Sequence, residues 1–235
     1  MSARAALVAG AVLLLAAGGV SARGQLQAGP TLLEIPSGAN ATRLQLGNTG
    51  DATVAAQVRV YAWVQEDGED RLLETEALVA SPPIAEVEAG GEHLVRLVLT
   101  GTPPAGTVDA TFRVVVDELP GDPQVGETGV QMRMRYVIPA FVRAAAATPP
   151  AIECELRASE LSCRNRGGQA AQLAVTALRG ADGPAVVLSS GLFGYVLPES
   201  ERRWTLPAGT GIPVGPLLLD TQLNGQAATI DVRRP

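Results

Sequence analysis

Thr111 to Val142 reads TFRVVVDELPGDPQVGETGVQMRMRYVIPAFV, and the reading of this stretch decides the fold. Residues 111–117 form a β-branched, apolar run that predicts a strand. A long Pro/Gly-rich turn follows, and then a second strand over 130–142 with strict apolar/polar alternation. Val130, Met132, Met134, Tyr136 and Ile138 fall on one face, while Gln131, Arg133 and Arg135 fall on the other. Such a row either packs the core of its own domain or is lent to another protein, and the alternation by itself leaves both open.

On the N-terminal side, further strands are predicted over 31–35, 43–46, 53–64, 71–73 and 92–99. Turn signals separate them at Gly47-Asn48-Thr49-Gly50-Asp51, Asp67-Gly68, Ala89-Gly90-Gly91 and Gly101-Thr102-Pro103-Pro104. Asp67-Gly68 between two strand-like runs is a strong two-residue hairpin signal. Seven short strands without a helical period predict a β-sandwich. On the C-terminal side, Arg143 to Pro150 (RAAAATPP) reads as a linker. Beyond it, strands are predicted over 152–156, 161–163, 171–178, 185–188, 192–197, 202–205, 216–220 and 229–233. The expected architecture is all-β: a first sandwich over 23–143, a linker over 144–150 and a second over 151–235.

The first residues bear on the compartment. Arg4, an apolar run over 5–17 centred on Leu13-Leu14-Leu15, and Val20-Ser21-Ala22 read as a secretory signal cleaved after residue 22. The run is too short to span a bilayer, so a soluble, periplasmic protein is expected. Cys154 and Cys163 are the two cysteines; in an exported chain, so close a pair suggests a disulfide clamping a hairpin. Closing that loop contributes about 2–3 kcal/mol in the chain-entropy account. Two thiolates and a distant His93 do not make a zinc site, and the spacing is not that of a redox C-x-x-C.

The formal net charge is −6, and losing Arg4 with the leader makes it −7. No basic stripe exists to collect phosphates, which argues against nucleic acid. There is no lysine, so any site needing a fixed cation must use the planar guanidinium of arginine. His93 lies inside a predicted strand with no nucleophile to serve, and reads as a surface or edge imidazole. Asp117-Glu118 and the Glu66-Asp67…Glu69-Asp70 cluster lie at strand ends and turns, where solvated charges explain them better than a catalytic pair does. Asn40-Ala41-Thr42 matches a glycosylation sequon that is uninformative in a bacterial host. Pro82-Pro83 reads as a stiffened turn compatible with a cis bond. No glycine-rich loop follows a strand and opens a helix, so nucleotide binding is unsupported, and no small-molecule substrate is expected.

Several motifs in order resemble the first domain of periplasmic pilus (fimbrial) assembly chaperones. They are Ala62-Trp63, Ser81-Pro82-Pro83-Ile84, Ala89-Gly90-Gly91, Val95-Arg96-Leu97, and Phe112-Arg113-Val114-Val115-Val116-Asp117-Glu118-Leu119-Pro120. Leu197 to Leu206 (LPESERRWTL) resembles the second domain of the same family. The spacing is closest to the branch serving spore-coat-U-type or archaic fimbriae. The resemblance implies a boomerang of two immunoglobulin-like domains, no catalysis, no cofactor, and two kinds of partner: fimbrial subunits lacking a strand and an outer-membrane usher.

It further implies that the last strand of the first domain is donated, which makes Val130, Met132 and Met134 the donor residues and leaves Tyr136 and Ile138 to ordinary packing. Unbranched thioethers suit pockets of differing shape. P-pilus-type members anchor the subunit's terminal carboxylate with an arginine on the first strand and a lysine on the last. Here Leu32 stands at the first position and the second falls near Val137, so Arg135 and Arg133 become the candidate anchors. The competing expectations are an exported structural sandwich, such as a pilus-associated subunit or adhesin, and a secreted hydrolase. The first is disfavoured by an N-terminal domain that reads as complete, the second by the lack of a nucleophile–base set.

Overall fold

The computed structural model describes residues 25–121, 132–180 and 184–234. The expected leader over 1–22 lies outside them, and so do Val130 and Gln131.

The N-terminal domain contains β1 (Leu26–Gly29), β2 (Leu33–Ile35), β3 (Ala41–Asn48), β4 (Val54–Glu66), β5 (Glu69–Glu74), β6 (Leu78–Ser81), β7 (Ile84–Val87), β8 (Glu92–Leu99), β9 (Ala110–Glu118) and β10 (Arg135–Val142). One sheet has the order β1-β3-β8-β6; the other has β2-β10-β9-β4-β5, with β7 also pairing β4. The chain changes sheets across Pro30: β1 runs antiparallel to β3, whereas β2 runs parallel to β10. Leu44, Leu46, Val95 and Leu97 of the first sheet pack against Val58, Val114, Val116 and Ile138 of the second. Tyr136, half-buried, donates its hydroxyl to the Leu26 carbonyl at 2.7 Å and ties the two sheets at one end. Tyr136 and Ile138 thus face the core, as expected.

Three strands escaped the sequence reading: β1, β6 and β7. Each has four residues, too few to show a period, and prolines bound them. Pro82-Pro83 joins β6 to β7 through a cis Ser81–Pro82 bond, and Gly29–Pro30 is also cis. The Asp67-Gly68 hairpin forms as expected, with φ of 54° and 79°, the left-handed pair that this tight turn needs.

The C-terminal domain contains β11 (Ile152–Arg157), β12 (Glu160–Asn165), β13 (Ala171–Gly180), β14 (Val186–Val196), β15 (Glu201–Thr205), β16 (Leu217–Leu223) and β17 (Gln226–Arg233). They form a continuous sheet in the order β14-β13-β16-β17-β11-β12-β15. Its two ends meet where Phe193 of β14 stacks on Trp204 of β15, with ring centroids 4.6 Å apart. A curled sheet therefore encloses the second core. The strands predicted over 185–188 and 192–197 are one strand, because the residues between them, Ser189-Ser190-Gly191, are absorbed as an irregularity in the pairing with β13. Cys154 and Cys163 lie directly opposite in the β11–β12 register, buried and disulfide-bonded.

The two domains share a small core of their own: Trp63, Phe141, Ala170, Tyr195 and Leu197. Trp63 meets Tyr195 edge-on at 5.2 Å. The Gln65 carboxamide crosses this junction, donating to the Tyr195 carbonyl at 2.8 Å and accepting from the Leu197 N–H at 2.9 Å. At the hairpin tip, the Gly68 carbonyl accepts from the Arg203 N–H and from the Arg202 side chain, which also pairs with Glu69. The segment read as a linker is pinned as well: Ala144 N–H donates to the buried Asp109 carboxylate, and Thr148 N–H to the Thr107 carbonyl. Gly168 lies against the Thr107 carbonyl oxygen so closely that a Cβ there would overlap it. Gly168→Ala is therefore expected to lower stability by about 3 kcal/mol, at the upper end of ordinary overpacking, as read by denaturant unfolding. Because the strain lies at the junction, unfolding should also lose coincidence between N-terminal and C-terminal probes.

Candidate functional site

β10 has two sides. On one it pairs with β9 along its whole length, from Arg135–Asp117 to Val142–Ala110. The ladder continues a step further, with Glu118 N–H donating to the Met134 carbonyl at 2.9 Å and Met134 N–H to the Glu118 carboxylate at 3.1 Å. On the other side, β2 pairs only with Ala140, Phe141 and Val142. Among the described residues, the edge of β10 over 135–139 is thus unpaired, because β2 is three residues long. Exposed apolar groups flank this open edge: Leu32 is 42% exposed and Val137 48%.

The methionines continue the core-facing row beyond the sandwich. Met134 is 37% exposed and Met132 81%, and neither belongs to the core. The row therefore divides: Tyr136 and Ile138 pack inward, whereas Met134 lies at the rim beside Leu119 and Gln57 and Met132 is largely exposed, both outside the core cluster. Val130, the third residue of the expected donor row, lies outside the described residues.

The expected arginines lie on the outer face beside this edge. Arg135 pairs with Asp117 directly across the ladder, and Arg59 of β4 reaches the same carboxylate at 2.5 Å. Arg133 is exposed. Burial pushes the Asp117 carboxyl upward, but hydrogen bonds and charge from Arg135 and Arg59 outweigh it and hold the group below the usual carboxylate range. Leu32 and Val137, at the positions where the resemblance led one to look for cations, are apolar and exposed.

A different arginine lies deeper on the same face. Arg113 of β9 is opposite Pro139 of β10 and Tyr61 of β4. Its guanidinium carbon lies 3.5 Å from the centroid of the Trp63 ring and 5.4 Å from that of Tyr195, at the domain junction. Burial pushes its pKa below the usual arginine range, against smaller opposing effects of Asp70 and Tyr195. Among the described residues Arg113 forms no ion pair. A half-buried cation stacked on an aromatic face keeps its hydrogen-bonding edge free for an anion. The signal was present in the sequence as an arginine between Phe112 and Val114, both core residues, which puts it on the outward face. What the sequence does not show is that the outward face at this rung is a junction between domains.

The pattern described as pili and flagellar-assembly chaperone, PapD N-terminal domain, matches residues 25–147. The chain belongs to this family. It is a family of periplasmic, non-enzymatic pilus chaperones with two immunoglobulin-like domains, and the fold described above is theirs. None of the curated proteins compared matches the chain. Among solved structures, the CsuC–CsuE chaperone–tip adhesion subunit pre-assembly complex, from archaic chaperone-usher Csu pili of Acinetobacter baumannii, contains a similar chain. It is 25% identical, with a TM-score of 0.72, over 90% of this chain and 99% of that one. The E. coli chaperone DraB is 19% identical with a TM-score of 0.61, over 89% and 98%. The structure of Salmonella enterica SafA pilin in complex with the SafB chaperone matches at 16% identity and a TM-score of 0.64, over 88% and 95%. The last two share the fold. The Csu match agrees with the archaic branch expected from the motif spacing.

The Arg59–Asp117–Arg135 cluster makes a pH prediction. Asp117 has a depressed folded-state pKa, so its contribution to stability is present above its unfolded value, near pH 4, and lost as pH falls through the folded value. Asp117→Asn should therefore cost stability at pH 7 and nothing once the carboxyl is protonated. Denaturant midpoints for both proteins between pH 7 and pH 2 should converge toward the acid end; a constant gap would remove the ionic account.

Proposed function

We propose that this chain is an exported chaperone that captures strand-deficient pilus subunits in the periplasm by lending them the open edge of β10, and passes them to an outer-membrane usher. The open edge over 135–139, continued by exposed Met134 and Met132, is the observation that carries the reading. A subunit lacking a strand exposes an apolar groove and unpaired backbone. A donated strand supplies the ladder, while alternate side chains fill the groove. Val130, Met132 and Met134 are the proposed donor residues, and each filled pocket contributes roughly 1.5–3 kcal/mol. Chaperones of this fold are held with a tip adhesion subunit in the Csu complex and with a pilin in the Saf complex, which supports the same role here.

For the anchor we favour Arg113 over Arg135 and Arg133. Arg135 already has Asp117 as counter-ion, and that carboxylate is shared with Arg59. Arg113 is the desolvated cation on this face, so a carboxylate reaching it gains a charge-assisted hydrogen bond where water competes least.

The test is calorimetric titration with a purified strand-deficient subunit. Met132→Arg/Met134→Arg should abolish capture and leave the melting curve unchanged, since neither residue lies in the core. Unfolding of that variant would return the row to the protein's own packing. Arg113→Gln should weaken capture by about 1.5–3 kcal/mol, the usual worth of a hydrogen bond to a charged group. Arg135→Gln should cost less than about 1 kcal/mol, as for an exposed ion pair. The reverse order would assign the anchor to Arg135.

A further inference from the structure

The opposite sheet of the N-terminal domain carries a feature that strand donation does not use. Arg43 of β3 and Arg96 of β8 are direct cross-strand partners. Both are exposed, on the solvent face of the β1-β3-β8-β6 sheet. Like charges directly opposite on a sheet are destabilising. Neither arginine forms an ion pair among the described residues, although the chain has 24 carboxylate side chains to 18 arginines, so counter-ions are not scarce. Arg59, Arg135, Arg143, Arg164, Arg179 and Arg203 all have one.

The next pair on the same face is Gln45 with Leu94, and Leu94 is an exposed apolar side chain. Beside it is a shallow depression of about 470 Å³ that runs from Arg43 past Gln45, Leu94 and Pro30 to Glu92. Its order is thus cation (Arg43, with Arg96 across the ladder just outside the lining), amide, apolar floor, single carboxylate. We infer that the Arg43–Arg96 pair is a docking site for an acidic, extended segment of a partner protein. A Glu or Asp carboxylate would bridge the two guanidiniums, with a following apolar side chain lying over Leu94 and Pro30. The occupant follows from charge. Two cross-strand arginines repel a basic segment at contact and attract a carboxylate, which cancels their mutual repulsion. Glu92 at the far end disfavours a second acidic residue there, which gives the segment a direction.

The site lies on the sheet that does not contain β10, so it can be tested without disturbing capture. The intact protein is titrated with the peptide acetyl-Glu-Leu-Leu-amide, with its Gln analogue, and with acetate, following the arginine Nε–Hε signals and the Leu94 methyls by NMR. The expected result is a shift of Arg43, Arg96 and Leu94 with the Glu peptide, weakened by added salt and at least tenfold by Arg43→Gln or Arg96→Gln. Capture of a strand-deficient subunit by either variant should equal that of the parent. Equal shifts with the Gln analogue, equal affinity for acetate, or shifts unaffected by both substitutions would each overturn the site. A parent that fails to capture subunits would count against strand donation alone, because the peptide titration reads the other sheet.

Discussion

The two hydrogen bonds of the Gln65 carboxamide are the contact on which the outer face of the second sheet depends. One amide group donates to the Tyr195 carbonyl and accepts from the Leu197 N–H, as a peptide unit on a neighbouring strand would. β4 is thereby extended into the C-terminal domain by a side chain. Trp63, two residues earlier on the same face, fills the space beneath, and Arg113 closes over Trp63. Without this junction, Arg113 would be an ordinary solvated arginine on a sheet surface. With it, the guanidinium is half desolvated and directed along a face that ends at the open edge of β10.

That open edge is a hazard as well as a tool. Unpaired strand edges invite association, and natural sheets protect them with short length, charge or proline. All three protect this one. The unpaired stretch is 135–139, Pro139 contributes no N–H, and Arg133 and Arg135 place positive charge beside the exposed methionines. The two arginines first considered as anchors thus have a physical role that requires no carboxylate from a partner. Pairing of this edge with a second copy of itself would bring like charges together.

Much of this was legible from the residues. Alternation over 130–142 located the apolar row, and its inward half, Tyr136 and Ile138, packs where the period puts it. The Asp67-Gly68 hairpin, the disulfide and the all-β architecture needed only local signals. What stayed hidden needed register. Arg135 shares Asp117 with Arg59, and that carboxylate becomes its neighbour only once β9 and β10 are paired. Leu26, Leu78 and Val87 belong to strands too short to show a period, although each is fully part of the core. Ser189-Ser190-Gly191 looks like a turn because its composition is that of a turn; the long pairing of β13 with β14 overrides it. Arg113 was visible as an outward-facing residue, but its importance comes from a second domain folded against it.

The short span of β2 has a consequence for which subunits fit. With β2 stopping at Ala140, the free rungs of β10 begin at Pro139, the residue opposite Arg113, and run toward Met134. Six residues at about 3.4 Å each make roughly 20 Å of ladder. Under strand donation, one end of that length is set by a charge and the other by two thioethers. A client segment whose terminus sits at the guanidinium has its register counted off from that point. A slip of one residue would turn every apolar side chain to the wrong face. The free edge of β10 then behaves as a ruler: it selects clients by the distance from their last residue to their first apolar pocket, whatever the sequence in between.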